Sequence, residues 1–505
     1  MITRRRLIQS SATIAALGCE WAKAQMPQPT ILKLRRRSIE INNKPAIVYE
    51  IVQPNGRHGL VLDYGDAFHV RVENELDEPS LIHWHGLTPP FEQDGVPGIS
   101  GPVIPAGGAA TYRFTQRFGG TYWMHSHYEL QEQQLLAAPL IVRYPNKYPD
   151  YQDIVVMLAD FSFRSPQEIY ASLIGNRAIS PGVKKLEANA PSTDMTSHNM
   201  AMMHDEDQTS MRHESDNASE TDKKPKKHQA DHAREMSDLN DVDYDAFLAN
   251  NRTLSDPDVM TISPDGRVLM RIINGATMSN FHVNLGDVEG LLVAVDGQEI
   301  LPIKGRSFPI AAGQRMDILM VVPPERTAHP VFFQLEGDLR RSGVILSRQG
   351  AMVVKYPDVA ESVAPPVDLS LECNLQAAWP LSPRQADRFY SLDLTGDMNK
   401  YVWSINNISW EPSTPPFMLR RGERVELTMT NRTMMAHPMH LHGHRFQVVD
   451  IDGRRFSGAL RDTIHVPPGK RVVIAFDADN PGVWAFHCHL AYHMHAGMFA
   501  TFKYV

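Results

Sequence analysis

The stretches GDAFHVRVENELDEPSLIHWHG (Gly65–Gly86) and GERVELTMTNRTMMAHPMHLHG (Gly422–Gly443) align on one another without a gap. Each reads as a Gly turn, an alternating run such as Phe68-His69-Val70-Arg71-Val72, an Asn (Asn74, Asn431) and a His-x-His-Gly. Alternation places one face of a strand in a core and the other toward solvent. A unit met twice means a chain built by repetition. A third copy runs from Gly266 through Val268 to Ile273 and Asn274, but Asn280, Val283 and Leu285 stand where the last copy has His437, His440 and His442. Short strands punctuated by Gly and Pro, with sparse helix signals, predict an all-β chain of Greek-key β-sandwiches. The 505 residues suffice for three domains of about 150 residues each. The repeats set their boundaries near residues 150 and 365, giving domains over 25–150, 151–365 and 366–505.

The chemistry concentrates where the last copy ends, at His487-Cys488-His489-Leu490-Ala491-Tyr492-His493-Met494-His495-Ala496-Gly497-Met498. Cys488, His493 and Met498 offer a thiolate, an imidazole and a thioether on one loop, which with a distant His is the ligand set of a blue copper site. In a strand, His487 and His489 share one face and Cys488 points to the other, so two metal centres are predicted back to back. A redox-silent ion such as zinc has no use for that arrangement. Three further clusters lie at His83-Trp84-His85, His125-Ser126-His127 and His437-Pro438-Met439-His440-Leu441-His442. Setting His437 and His493 aside for the blue site leaves eight imidazoles, four from the first domain and four from the third. They predict a three-copper cluster in the seam between those domains, with the middle domain as a spacer. The repeat sets Ser80, Ser126, Gln131 and Leu136 against His437, Cys488, His493 and Met498, so one type 1 site is expected, in the third domain only.

With these motifs the chain resembles the three-domain multicopper oxidases over its whole mature length. Gln93-Asp94-Gly95-Val96-Pro97-Gly98, Thr433-Met434-Met435-Ala436-His437 and Tyr492-His493-Met494 are similar to the bacterial copper-resistance branch. The resemblance implies cupredoxin-like domains and four copper ions. It gives His437, Cys488, His493 and Met498 to type 1 copper and His83 and His440 to type 2. The type 3 coppers take His85, His125 and His489, and His127, His442 and His487. It further implies that dioxygen is reduced to water with electrons entering through Cys488. Dioxygen reduction consumes protons, and Asp94 sits where similar proteins place a relay carboxylate; a turn residue before Gly95 is the other reading. Some members carry a Glu directly after the second type 1 His, where this chain has Met494, which leaves Glu129 and Glu132 as substitutes.

The amino terminus, Thr3-Arg4-Arg5-Arg6-Leu7-Ile8-Gln9 with an apolar run to Leu17 and Ala22-Lys23-Ala24, resembles a twin-arginine leader over residues 1–24 and predicts export to the periplasm or beyond. A lipid anchor at Cys19 is the competing reading. No other run approaches the roughly 18 apolar residues of a membrane span. With Cys19 removed and Cys488 a ligand, Cys373 is left unpaired, so no disulfide framework is expected. The formal charge of −8 becomes more negative without the leader's four basic groups and one acid, which argues against a nucleic-acid partner. A monomer is expected.

Residues 189–239, inside the second domain, are nearly free of bulky aliphatics and cannot build a core. They carry Met195, His198, Met200, Met202, Met203, His204, Met211 and His213, with His228, His232 and Met236 beyond. Thioethers suit Cu(I) and imidazoles Cu(II), so accessory, labile copper binding is expected there; a solvated insertion is the plainer alternative. Three functions compete: oxidation of Cu(I) in copper tolerance, laccase-like oxidation of a small aromatic reductant, and copper sequestration. A sequestering protein needs no second, wired cluster. Met434, Met435, Met494 and the tract favour Cu(I) over phenols or aromatic amines.

Overall fold

The computed structural model describes residues 28–175 and 239–505. The leader, Cys19 and every Met and His named between Met195 and Met236 lie outside those residues. The described strands fall into three pairs of sheets: two of four strands over residues 30–143, six and five strands over 152–347, and seven and five over 388–504.

Each sequence repeat plays the same part in its pair. Ala67–Asn74, Arg267–Asn274 and Arg424–Asn431 each pair in parallel with an earlier strand, respectively Thr30–Ile41, Gln152–Phe161 and Arg388–Asp397. On the other side each pairs antiparallel, with Ala109–Thr115, Arg315–Val321 and Arg471–Asp477. Phe68, Val70 and Val72, like Val425, Leu427 and Met429, are fully buried and form the inner faces that the alternation predicts. Arg267–Asn274 departs from alternation, being buried on both faces from Val268 onward, because the first domain covers its outer side.

The repeated asparagine ends the strand by a side-chain network. Asn74, Asn274 and Asn431, all buried, each accept at Oδ1 from the backbone N–H two residues on. Their Nδ2 groups donate to a carbonyl four or five residues on and to another on a distant segment: Glu78 and Ile104, Ser279 and Ile310, Met435 and Val466. An Asn side chain supplies both kinds of bond to a tight bend. The chain then crosses to the second sheet as Ile82–His83, Phe281–Asn284 or His437–Leu441. There Ile82 faces Ser126 as Met439 faces Cys488, and His83 faces His125 as His440 faces His487. The His-x-His motifs of each terminal domain thus lie on adjoining strands.

In the middle copy the position matching His437 holds a purely organic pair. Asn280 Nδ2 donates to Glu336 Oε1, Asn280 Oδ1 accepts from Ala312 N at 2.9 Å, and Glu336 Oε2 accepts from Val367 N at 2.7 Å. Burial pushes the Glu336 carboxyl up to about 7. A carboxyl raised on folding stabilises fully below its unfolded value and loses that contribution as pH rises through the folded one. From about 4.5 to about 7 the difference is about 3 kcal/mol. The denaturant midpoint of the wild type relative to Glu336→Gln, measured from pH 5 to 8, is expected to fall as pH rises, because only the wild type loses this term; parallel curves would refute it.

One helix, Pro166–Leu173, precedes the undescribed segment. It begins with a capping box, Ser165 Oγ accepting from Glu168 N and Glu168 Oε2 accepting from Ser165 N, and with Pro166 in its first turn. Among the described residues no helix is long and apolar enough to cross a membrane.

Candidate metal centre

Two groups of buried ligand atoms lie on opposite sides of the strand Val483–Cys488. In the first, Cys488 Sγ is 3.6 Å from His437 Nδ1 and 3.9 Å from His493 Nδ1, and those two nitrogens are 3.2 Å apart. The first His is held by the strand His437–Leu441, the second by the short helix Ala491–His495. Met498, fully buried, is fastened to His493 and Cys488: its N–H donates to His493 O and its carbonyl accepts from Cys488 N. The outer nitrogens are also fixed. His437 Nε2 meets Thr433 Oγ1 at 2.8 Å, His493 Nε2 meets Asp241 Oδ2 at 2.8 Å, and Trp403 stacks on the His493 ring at 4.0 Å. With Nε2–H donated outward, each ring turns a lone pair on Nδ1 toward Cys488.

The second group is the eight imidazoles. His85, His125 and His489 surround one point, with ring centroids 4.9 to 5.7 Å apart. His127, His442 and His487 surround a second, at 5.0 to 5.1 Å. His83 Nε2 and His440 Nε2 face each other at 3.4 Å. Four rings come from residues 83–127 and four from 440–489, so the group sits between the first and last pairs of sheets. Carboxylates and carbonyls hold the far nitrogens: His442 Nδ1 to Asp94 Oδ2 at 2.9 Å, His83 Nδ1 to Asp94 O at 2.9 Å, His125 Nδ1 to Glu132 Oε2 at 3.0 Å, His487 Nδ1 to Cys488 O at 2.8 Å and His440 Nδ1 to Asp462 O at 2.9 Å.

This donor set fits copper. Buried nitrogens without a partner are costly, yet His85 Nδ1, His125 Nε2, His127 Nε2 and both nitrogens of His489 have none. Burial, reinforced by neighbouring rings, lowers His85, His125, His127, His437, His440, His442 and His489 well below the usual range and His487 to about 3. These seven cluster rings and His437 are therefore neutral and able to bind a cation. Burial pushes the Cys488 thiol strongly up, so a bound metal must supply the charge that makes it a thiolate.

In the first domain the counterpart of the blue site is filled by hydrogen bonds. Ser80 Oγ and Ser126 Oγ both donate to Gln131 Oε1 at 2.8 Å, and Gln131 Nε2 donates to Glu78 Oε1 and to Pro79 O. Of the substitutes for a relay, Glu132 is buried against His125, and burial raises its carboxyl well above the usual range; Glu129 is exposed. Of the methionines tied to Cu(I), Met434 is exposed, Met435 is buried, and Met494 packs with Val96, Ala485, Phe499 and Trp410. Met434 is the most open of the three, and Met494 is half-buried. Asp241, Asp462, Thr463 and Trp403 touch candidate ligands but belong to no recognised motif; Asp241 stands just beyond the low-complexity tract.

Three family models, each described as multicopper oxidase, match residues 50–147, 197–341 and 383–505. The multicopper oxidase MmcO of Mycobacterium tuberculosis is 30% identical over 451 residues, covering 87% of this chain and 80% of the relative. A copper resistance protein A homolog of Pseudomonas syringae pv. tomato is 26% identical, over 86% of this chain and 85% of its own length. Among solved structures, a multi-copper oxidase from Pseudomonas thermotolerans superposes with a TM-score of 0.65 at 21% identity, covering 95% of this chain and 99% of the other. The chain belongs to the multicopper oxidase family. It is an oxygen-dependent oxidoreductase of three cupredoxin-like units whose cofactors are type 1, type 2 and type 3 copper.

Proposed function

We propose that this enzyme oxidises Cu(I) in copper tolerance, in an exported compartment reached through the twin-arginine leader. One observation carries the choice of donor. The Met- and His-rich stretch leaves and rejoins the described chain at the type 1 side: Tyr170, on the helix before it, lies 4.7 Å from the His495 ring, and Asp241, just after it, accepts from His493. The described residues on both sides of the stretch thus lie beside the electron entry, and the thioethers of its sequence are soft donors suited to Cu(I). Exposed Met434 adds a thioether four residues from Thr430 and three before His437.

In this reading His437, Cys488, His493 and Met498 hold type 1 copper and His83 and His440 type 2. His85, His125 and His489, and His127, His442 and His487, hold the type 3 pair. When bound, the copper ions supply one-electron acceptance from the donor and four-electron reduction of dioxygen to water. Cys488 shares peptide bonds with His487 and His489, so the shortest covalent link between the two sites is the backbone at that residue. Asp241 fixes the His493 tautomer, and Asp94 holds the Nδ1 proton of His442 at Oδ2 while Oδ1, without a hydrogen bond of its own, stands 3.3 Å from His83 Nδ1, where it can pass a proton. Met498→Leu should keep the blue site and raise its potential, since removing a weak axial donor disfavours Cu(II); redox titration finding it unchanged or lower would exclude Met498 as a ligand.

A small aromatic donor is the second reading, favoured by Tyr170, Tyr401 and Trp403 grouped about His493 and His495. Oxygen uptake with Cu(I) and with a phenol, on the full chain and on one lacking residues 189–237, separates the two. That deletion spares Leu239, which packs on Gly337, and Asn240, which donates to Glu336 O. Loss of Cu(I) oxidation at low copper, with fewer ions bound and phenol oxidation kept, is expected. Unchanged copper stoichiometry and Cu(I) kinetics would transfer the function to the aromatic donor.

A further inference from the structure

Among the described residues the middle unit contributes no imidazole to either copper group, yet its turn at residues 311–314, between the strands Ser307–Ile310 and Arg315–Val321, forms a wall of the eight-imidazole site. Gly313 has φ +80°, and a Cβ there would lie 2.9 Å from the His489 ring and 3.3 Å from the Thr463 methyl. Gln314 Nε2 donates to Thr463 O at 3.2 Å. Arg315, fully buried, reaches all three units. Its Nε donates to Thr121 O at 3.2 Å, Nη1 to Gly313 O at 2.9 Å and to Asp462 Oδ1 at 2.7 Å, and Nη2 to Asp462 Oδ2. Asp296 stands 3.6 Å from the same guanidinium.

What Arg315 holds is the group that orients His85. Asp462 Oδ1 and Thr463 Oγ1 each accept from His85 Nε2, both at 3.1 Å, and Thr463 Oγ1 also faces His440 Nδ1 at 3.1 Å. His85 is thereby turned opposite to its neighbours: its unpartnered nitrogen is Nδ1, where His125 and His127 present Nε2. A carboxylate so close to His85 and His440 could itself bind a metal. The bidentate guanidinium engages both of its oxygens and leaves it an acceptor for imidazole N–H instead. The fit is tight, since a Cβ on Gly86, next to His85, would come 2.5 Å from Arg315 Nη2 and 2.7 Å from Asp462 Oδ2.

We infer that the middle unit is a positioning part of the trinuclear centre: Arg315 holds Asp462 and Thr463 so that His85 and His440, from different ends of the chain, present fixed nitrogens to their metals. This rests on the copper reading above. Partners that orient a metal-binding His from its far nitrogen typically govern affinity and activity by about 10- to 100-fold.

The test compares the copper-loaded full chain with Arg315→Met, Arg315→Lys and Arg271→Met. Arg271 serves as control because it is a buried guanidinium bridging the same first and middle units, to Thr121, Asp153 and Asp317, without reaching a ligand. The readouts are blue absorbance, copper retained against a chelator, the type 2 paramagnetic signal, and the rate at which dioxygen reoxidises the reduced protein. Arg315→Met is expected to keep the blue band while cluster copper is held about 10- to 100-fold less tightly, with an altered type 2 signal and slower reoxidation. Arg315→Lys should recover part of the loss, since a point charge cannot reproduce the bidentate contact. Arg271→Met should lower thermal stability alone. Arg315→Met that loses stability but keeps wild-type cluster affinity, signal and reoxidation overturns the inference. If Arg315→Met does not fold, Arg315→Lys decides: wild-type values in all three cluster readouts overturn it equally. A wild-type chain that binds no blue copper would instead remove the copper reading on which it rests.

Discussion

Cys488→Ser is expected to abolish the intense blue absorption and reduce reductant oxidation to the uncatalysed rate, while a type 2 signal persists in paramagnetic resonance. The thiol meets both His437 and His493, within 3.9 Å, and a hydroxyl at that depth offers a copper ion no comparable donor. The same substitution already stands in the first unit, where Ser126 has given up metal for a hydrogen bond to Gln131. The cluster on the other face keeps its eight imidazoles, so the loss falls on electron entry and spares dioxygen chemistry. A variant that stayed blue would remove Cys488 from the site.

Asp94→Asn should slow dioxygen reduction by about 100-fold while anaerobic reduction of the blue centre proceeds at the wild-type rate. Asp94 is buried and serves two ligands from different ends of the chain, its carbonyl taking the His83 proton and Oδ2 that of His442. The amide can still occupy the space and accept at one oxygen, but it cannot carry a proton between solvent and cluster. Equal loss of both steps in stopped-flow mixing would indicate misfolding, and unaltered turnover would leave Asp94 a turn residue before Gly95.

Repetition made the core legible. A gapless match between Gly65–Gly86 and Gly422–Gly443 carried with it the strand, the asparagine-built bend and the paired His-x-His strands, because each is a local consequence of side-chain spacing. The correspondence of Ser126 with Cys488 reappears as the same strand register, Ile82 with Ser126 and Met439 with Cys488. What stayed hidden is what only tertiary folding brings together. Asp241 reaches His493 across 252 residues, and Arg315 reaches Asp462 across 147; neither has a local pattern, and both come from or meet the unit that lacks imidazole ligands. Reading that unit as a spacer followed from counting ligands, which says nothing about the residues that orient them. Composition groups Met435 and Met494 with Met434, although the bend after Asn431 buries the first and the helix Ala491–His495 packs the second against Val96, Ala485 and Phe499.

The most direct test of the account is the ratio of Cu(I) oxidised to dioxygen consumed by the copper-loaded chain, corrected with Cys488→Ser for uncatalysed oxidation. Two back-to-back sites joined at Cys488, one admitting single electrons and the other able to collect them, predict four Cu(I) per dioxygen with water as product and no peroxide released. Two Cu(I) per dioxygen with peroxide in solution, or no uptake above the Cys488→Ser background, would contradict it.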